Sequence, residues 1–348
     1  MALQTLPRAT ERYLREQQRL TRGSVREVRR LWRQMGEEFD RSWLQIAPAM
    51  LAVTDATQLR VAESAAEYVP AVLAETSGAA PALAGDVVPD VFVGVAGDGR
   101  PTESLLRGAV VQSKTAVSAG ATTRQALLSG LSWLTMATAT LMSDTGRGAE
   151  VAGMARHNGV SYVRALVPPS CSRCAILAGA TYRSEVAFQR HPRCDCRHVP
   201  IRGMDYSDAV DEGLVMDPHS YFESLPESEQ DRIFTNAGAE AIRNGADPRQ
   251  VVNARRGMHV AQGRLVTTEG ATRRGLAYKA MGGPSREDVR RSGERYFSSS
   301  RARLMPETIQ NMAGGSQERY RQLLIEYGYL RPSVPRFIYS PTGQLVRI

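Results

Sequence analysis

All four cysteines of this 348-residue chain, and two of its five histidines, fall between Tyr162 and Ile201. Cys171 and Cys174 carry the spacing that lets two thiolates from one tight turn reach a single tetrahedral ion. His191 and Cys194 repeat the three-residue offset and Cys196 follows two positions later, so the second half offers three candidate ligands. A structural Zn2+ takes four protein ligands. The preferred set is Cys171, Cys174, Cys194 and either His191 or Cys196, with His198 in reserve. A site closed by four protein ligands is a staple, whereas a catalytic zinc keeps one position open.

Other chemistry competes for these residues. A disulfide would close the same loop, although a chain without a secretion signal ordinarily keeps its thiols reduced. A redox pair is the third reading, but this C-x2-C follows Pro168-Pro169 and lacks the strand-to-helix setting of a thioredoxin-like site. Elsewhere the chain has neither Gly-x-Ser-x-Gly nor His-Glu-x-x-His. A Ser, a His and an acid that meet only in space leave no local pattern. His157, His219 and His259 are the histidines outside the window that could serve such a set.

The run Pro168-Pro169-Ser170-Cys171-Ser172-Arg173-Cys174-Ala175-Ile176-Leu177-Ala178-Gly179, followed by His191-Pro192-Arg193-Cys194-Asp195-Cys196-Arg197-His198, resembles the C-x2-C-x-x-L-x-G … H-P-x-C-x-C signature of MuF-like minor capsid proteins of tailed phages. Further on, Phe234 to Ile242 and Val251 to Gly257 resemble the downstream part of the actinobacterial-phage members. The ends of the chain match nothing in that family. The resemblance implies a minor head component inside the capsid near the portal, made in host cytoplasm, with portal and other capsid proteins as partners. It also implies that arginine-rich amino-terminal helices, through Arg12, Arg15, Arg19, Arg22 and Arg26, face the portal or packaged DNA. Phage proteins with such a knuckle are sometimes labelled head-maturation proteases, which makes a protease the rival reading; a DNA-binding protein is the third.

The elements that must position this stretch are mostly helical. Arg8, Arg12, Arg15, Arg19, Arg22, Arg26, Arg29 and Arg33 recur at offsets of four and three, which sets them along one stripe of a helix over 8–35. Only Glu11, Glu16 and Glu27 oppose them. Leu14, Val28, Leu31, Trp32 and Met35 supply the buried side, and Gly23-Ser24 is the expected break. A charge stripe is usually a solvated face, yet guanidiniums crowded with few acids repel one another, and an anionic partner relieves that cost. Of the 44 basic residues only Lys114 and Lys279 are lysines. GC-rich coding explains that bias better than function does, although Arg is also the better bidentate phosphate or carboxylate ligand. The net charge is +8.

Residues 36–70 continue helical, with Phe39, Trp43, Leu44 and Ile46 giving an apolar face before Pro48. The Ala/Gly/Pro-rich stretch 77–102 has no helical period and reads as a linker. Its glycines lack the Gly-Lys-Ser/Thr ending of a phosphate loop. In 103–160 a helical pair is expected, with Leu127, Leu131, Leu134 and Leu141 as core, Thr138 bonding back along its own helix, and a break at Ser143-Asp144-Thr145-Gly146. Alternation over Ser161 to Val167 suits a strand, with a second at Arg197 to Ile201 whose pairing would draw the two Cys half-sites together. Ser224 and Glu227 have capping-box spacing, opening two short helices divided at Asn244-Gly245-Ala246-Asp247-Pro248. These resemble a helix-turn-helix only in outline, with Arg255-Arg256 at the end. Ser285 and Asp288 open a further helix. Tyr320, Leu323, Leu324 and Tyr327 form an apolar face ended by Gly328, and Pro332 to Ile348 is expected to lie extended.

The fold class expected is therefore mainly α with a small β-containing Cys/His knuckle in the middle, α+β overall. Its segments are 1–76, 77–102, 103–160, 161–203, 204–330 and 331–348. The most apolar run, Leu131 to Met142, is well short of the ~20 residues a bilayer needs. The first residues carry no cleavable signal pattern. Both point to a protein kept in cytoplasm until it is built into something, with no membrane partner.

Overall fold

A computed structural model describes residues 5–77, 85–166, 170–178, 180–184, 196–270, 276–282, 302–331, 337–339 and 345–347. It is mainly helical with small antiparallel sheets, as expected. The chain divides into two compact units, Met1–Ser170 with Leu177–Asp217, and Cys171–Ile176 with Pro218–Ile348.

The first unit is built on four long helices, α1 (Arg8–Trp32), α2 (Phe39–Ser77), α3 (Thr102–Ser118) and α4 (Thr123–Ala155). α1 runs without a break through Gly23-Ser24, because Ser24 is buried against the bundle and packing outweighs the weak helix preference of the pair. Its inner side changes character along its length. Val28, Leu31 and Trp32, with Met35 just beyond, enter an apolar core that also holds Trp43, Met50, Leu106 and Leu134. Thr10, Tyr13 and Gln17 bury the first half through polar side chains, and Ser24 is buried further on. Leu14 is only half-buried.

α2 runs through the expected helical stretch and past it to Ser77, carrying Pro48 and Pro70 inside it. Phe39, Trp43 and Ile46 are buried as expected, but Leu44 is 72% exposed. α4 opens on a capping box, with Gln125 N–H donating to Thr122 Oγ1 at 3.4 Å and Thr122 N–H to Gln125 Oε1 at 2.9 Å. It then runs through the expected break at Ser143–Gly146. The polar residues there are absorbed laterally: Gln58 Nε2 donates to Thr145 Oγ1 at 3.1 Å, and Arg197 Nη1 donates to the Ser143 carbonyl at 3.3 Å. Gly146 lies where a Cβ would come within 3.1 Å of both Tyr13 Oη and Gln17 Oε1, so the missing side chain admits α1. Leu134 and Leu141 are buried and Leu127 and Leu131 flank them. The Thr138 hydroxyl, expected to bond back along the helix, has no hydrogen-bond partner among the described residues. By length and composition α4 could cross a bilayer, but here its apolar side is spent on α1, α2 and α3.

The described part of the stretch expected as a linker is a built loop. A 3-10 turn over Pro89–Phe92 precedes a bridge between Val95 and Pro101. Gln58 of α2 holds it, its Nε2 donating to the Phe92 and Val95 carbonyls at 2.9 Å each and its Oε1 accepting from Gly94 N–H at 3.1 Å. One buried amide thus replaces the regular hydrogen bonds the loop lacks.

β1 (Val160–Ala165) is the central strand of a sheet ordered β2-β1-β3, with β2 at Thr181–Arg183 and β3 at Arg197–Arg202. The expected strand pairing is present, antiparallel, with Tyr162 opposite Pro200 and Arg164 opposite His198. β1 and β3 are buried on both faces along most of their length, which the alternating sequence did not foretell. α6 (Tyr206–Asp211) closes the unit, Gly213 accepting from Thr5 N–H at 2.8 Å.

The second unit holds α5 (Ser172–Leu177), of which all but Leu177 belongs to it, then α7 (Pro218–Ser224), α8 (Glu227–Phe234), α9 (Asn236–Arg243), α10 (Pro248–Ala254) and α11 (Leu276–Ala280). Two further helices, α12 (Pro306–Ala313) and α13 (Gln317–Glu326), follow. Ser224 does not cap α8. It ends α7, its hydroxyl donating to the Tyr221 carbonyl at 2.7 Å, while Pro226 stands at the cap of α8. Three helices, not two, fill 224–256, because Thr235 adopts φ 68° and ψ 155° between α8 and α9. A β-branched residue there is strained; its hydroxyl receives Gly238 N–H at 3.3 Å and Arg255 Nη2 at 2.5 Å.

β4 (Met258–Ala261), β5 (Arg264–Thr267) and β6 (Arg303–Leu304) form a second sheet. Arg303 is fully buried, and among the described residues its hydrogen-bond acceptors are neutral: the carbonyls of Tyr327, Glu269 and Gly328 and the Gln250 side chain, at 3.0 to 3.2 Å, with the Tyr329 ring 4.0 Å away. Tyr320, Leu323, Leu324 and Tyr327 are buried, and Gly328 at φ 68° ends that run as expected. Ser285 and Asp288 lie outside the described residues. In the tail, β7 (Phe337–Tyr339) and β8 (Leu345–Arg347) pair antiparallel.

Candidate functional site

The first unit encloses a connected set of ionisable side chains. Glu150 of α4 is fully buried. Its carboxylate accepts from the Tyr13 hydroxyl at 2.6 Å, from His198 Nδ1 in a short contact, and from the His198 backbone N–H at 3.3 Å. Arg197 Nε stands 3.7 Å away, and its guanidinium also reaches the Ser143 carbonyl. Burial pushes the Glu150 carboxyl up, but His198, Arg197 and Tyr13 outweigh it and the net result lies below the usual carboxylate range. An ionised carboxylate only accepts, so His198 Nδ1 carries the proton of that bond.

Two tyrosines extend the network to the amino-terminal helices. Tyr13 and Tyr68 stack with centroids 4.2 Å apart and planes 6° from parallel. Tyr68 donates to the His198 carbonyl at 2.9 Å and receives the Thr10 hydroxyl at 3.0 Å. Burial, then the neighbouring Glu150 charge, raise the Tyr13 hydroxyl well above its ordinary value, so it stays a neutral donor. Tyr162 of β1 meets the His198 ring edge to face at 4.3 Å. Beside this group Arg147 donates to Asp144 at 2.7 Å and to the Cys196 carbonyl at 3.2 Å. Thus α1, α2, α4 and β3 converge on one carboxylate. The arrangement can hold an imidazole in one tautomer and orientation, the setting used both by acid–base catalysts and by metal-ligating histidines.

The candidate ligands are distributed differently. Cys171 and Cys174 flank the first turn of α5, where Cys174 N–H donates to Cys171 Sγ at 3.4 Å, and they belong to the second unit. Cys196 is buried just before β3 in the first unit. His191 and Cys194 lie outside the described residues. Among the described residues no three His, Cys, Asp or Glu side chains gather at a metal-sized position. His198, the reserve ligand, is held by Glu150. Of the other histidines, His157 is buried and His259 is exposed with Nδ1 3.0 Å from the Gly257 carbonyl.

The arginine stripe is where the periodicity put it: Arg8, Arg12, Arg15, Arg19, Arg22, Arg26, Arg29 and Arg33 are all exposed. Arg19 pairs with Glu16 at 2.6 Å and Arg15 with Glu11 at 3.5 Å, whereas Glu27 is taken by Arg30 at 2.8 Å, off the stripe. Among the described residues no carboxylate pairs with Arg12, Arg22, Arg26 or Arg29. Arg255, at the end of the stretch that resembles a helix-turn-helix in outline, pairs with Glu307 at 2.5 Å.

Sequence reasoning missed Glu150, Tyr13, Tyr68 and Arg197. The available signals were an acid late in a long, mostly apolar helix and a tyrosine on the side of α1 away from its arginines. Comparison with protein-family profiles, with curated proteins and with solved structures finds no match.

Proposed function

We propose that this chain is a structural component of a tailed-phage head, a MuF-like minor capsid protein that sits inside the capsid near the portal and is made in host cytoplasm. The observation that carries the reading is the outer face of α1, a row of exposed guanidiniums on a helix whose other side is tied to a buried ionic centre. A rigid cationic row meets an anionic surface without first paying to order its own backbone. In a head that surface is an acidic patch of the portal or the phosphates of packaged DNA. The Cys/His pattern around Cys171 and Cys196 supplies the family part of the reading.

Zinc belongs to this proposal. Cys171, Cys174 and Cys194 with His191 or Cys196 form a donor set suited to a structural ion, and the Cys174 N–H given to Cys171 Sγ fits a thiolate in a C-x2-C turn. Zinc held there would fix the loop and supply no chemistry of turnover.

The test is co-expression with the portal and major capsid proteins. The wild-type chain should co-purify with portal assemblies, and Arg12→Glu, Arg15→Glu, Arg22→Glu and Arg26→Glu together should abolish that while leaving the melting temperature unchanged. Retention of the quadruple variant in assemblies would refute the α1 role. A protease is the second reading, favoured by the Glu150–His198 pair. It requires truncated capsid or scaffold products that disappear with His198→Gln; intact partners over the same time course would eliminate it.

A further inference from the structure

We propose that the groove between the end of α1 and the first turns of α4 is a docking site for an acidic amphipathic helix of a partner protein, whose apolar side chains enter the groove and whose carboxylates meet its rim. The groove measures about 640 Å³. The proposal goes beyond the phage-head reading and does not depend on it, since it stands on the shape and charge of the groove itself.

Three observations carry it. First, the floor is apolar and open. Trp32 and Met35, at the end of α1 and just beyond it, line the groove together with Leu127, Leu128 and Leu131 of α4. Trp32 and Met35 are buried, Leu127 and Leu131 are half-buried, and Leu128 is 58% exposed. The three leucines stand at helical offsets of three and four, the strip against which the apolar strip of a second helix packs. A small molecule in so open a slot would leave much of its surface in water, unlike a ligand in an enclosed pocket.

Second, the walls are set before a partner arrives. Trp32 Nε1 donates to the Leu127 carbonyl at 3.0 Å and so ties α1 to α4. In the turn that follows α1, the Gln34 and Met35 N–H groups donate to the Leu31 and Trp32 carbonyls at 3.0 Å each. Gly36 N–H donates to Ser42 Oγ at 3.0 Å. The turn therefore has little freedom left to lose on docking.

Third, the rim is cationic. It carries Arg33 and Arg124, both exposed, and one acid, Glu37. Among the described residues no carboxylate pairs with either arginine. The first turn of α4 contains no acid, so nothing there offsets the positive end of that helix. Such a rim favours carboxylates and disfavours a second copy of the arginine-bearing α1. DNA phosphates would find the two guanidiniums but leave the leucines in water, whereas an acidic helix with an apolar strip uses both.

The experiment titrates the full chain, at about 0.15 M salt, into a short fluorescein-labelled peptide of leucine, alanine and glutamate whose leucines fall at helical offsets, and reads fluorescence anisotropy. Saturable binding is expected. A peptide of the same composition with its leucines scattered should bind at least about tenfold more weakly. Leu128→Gln, and Arg33→Glu with Arg124→Glu, should each weaken binding of the first peptide by about tenfold or more. These side chains are exposed, so the variants keep the wild-type melting temperature. Arg12→Glu with Arg22→Glu should bind as wild type, because at 1.5 Å per helical residue both lie more than about one Debye length from Arg33. The proposal is overturned by the absence of saturation, by equal binding of the scattered peptide, or by wild-type affinity in Leu128→Gln. A DNA duplex that binds where the peptide does not, and is released by Arg33→Glu with Arg124→Glu, would make the groove a phosphate contact and overturn it. A dimer in sedimentation equilibrium that Leu128→Gln dissolves would assign the groove to a second copy and overturn it as well.

Discussion

Glu150→Gln keeps the shape of the side chain and removes its charge. The carboxylate has three hydrogen bonds, two from His198 and one from Tyr13, with the Arg197 guanidinium 3.7 Å away. A carboxamide offers one acceptor oxygen and turns an NH2 toward the remaining donors, so at least one buried donor loses its partner. Arg197, whose side chain is 4% exposed, also loses its counter-charge. Removing one member of a buried ionic pair costs about 3–5 kcal/mol, a large share of the stability of an ordinary domain. In a unit of roughly 200 residues that lowers the melting temperature by on the order of 10 °C.

Circular dichroism melts between neutral and acid pH test this on two axes. Because the folded carboxyl is held below its ordinary value, its contribution is fully present above the unfolded pKa of about 4.3 and is lost as the pH falls through the folded value. The gap between wild type and Glu150→Gln should therefore be flat from about pH 7 to pH 5 and narrow below that. Glu150→Leu combined with Arg197→Met should recover part of the loss of Glu150→Leu alone, since a paired apolar replacement leaves no buried charge stranded. A loss below about 1 kcal/mol, the range of exposed ion pairs, would refute the network as a structural centre.

Gly130→Ala should destabilise by about 1–3 kcal/mol or more, since its Cβ would fall 2.2 Å from Ser113 Oγ and 2.6 Å from the Trp32 ring; Gly23→Ala, with nothing within 4 Å, should stabilise by about 0.5–1 kcal/mol, and paired urea titrations read both. Arg303→Met strips the donors from three carbonyls and Gln250 and should cost about 3 kcal/mol or more; a neutral result by the same titration would mean that those carbonyls find other partners. Elemental analysis should find one equivalent of zinc in the wild-type chain and none in Cys171→Ser, together with lower thermal stability; zinc-free wild type of unchanged stability would remove the knuckle.

Element existence was legible wherever a period ran long enough, as in the α1 stripe, the Leu134–Leu141 core and the alternation that gives the β1–β3 pairing. What failed was punctuation. Gly23-Ser24 and Ser143–Gly146 are breakers by local preference, yet both helices run through them, because Ser24 is buried against the bundle and the small or polar groups at Ser143, Thr145 and Gly146 seat or admit a neighbour. Thr235 shows the converse: nothing in its type predicts φ 68°, and a hydroxyl satisfied from both sides holds it there. The Glu150 centre was illegible for another reason. Its members come from four elements, and Tyr13 and Glu150 stand 137 positions apart, so no window shows them together. The Cys pattern drew attention because it is local; the residues that organise the first unit are not.

That separation has a meaning during synthesis. The inner side of α1 is polar where it meets Tyr68 and Glu150, and its first half leaves the ribosome long before those partners are translated. At ordinary elongation rates the wait is on the order of ten seconds or more. Through that interval the nascent amino-terminal segment has its arginines but no seat, and whatever anionic surface binds it then does so before the fold can compete.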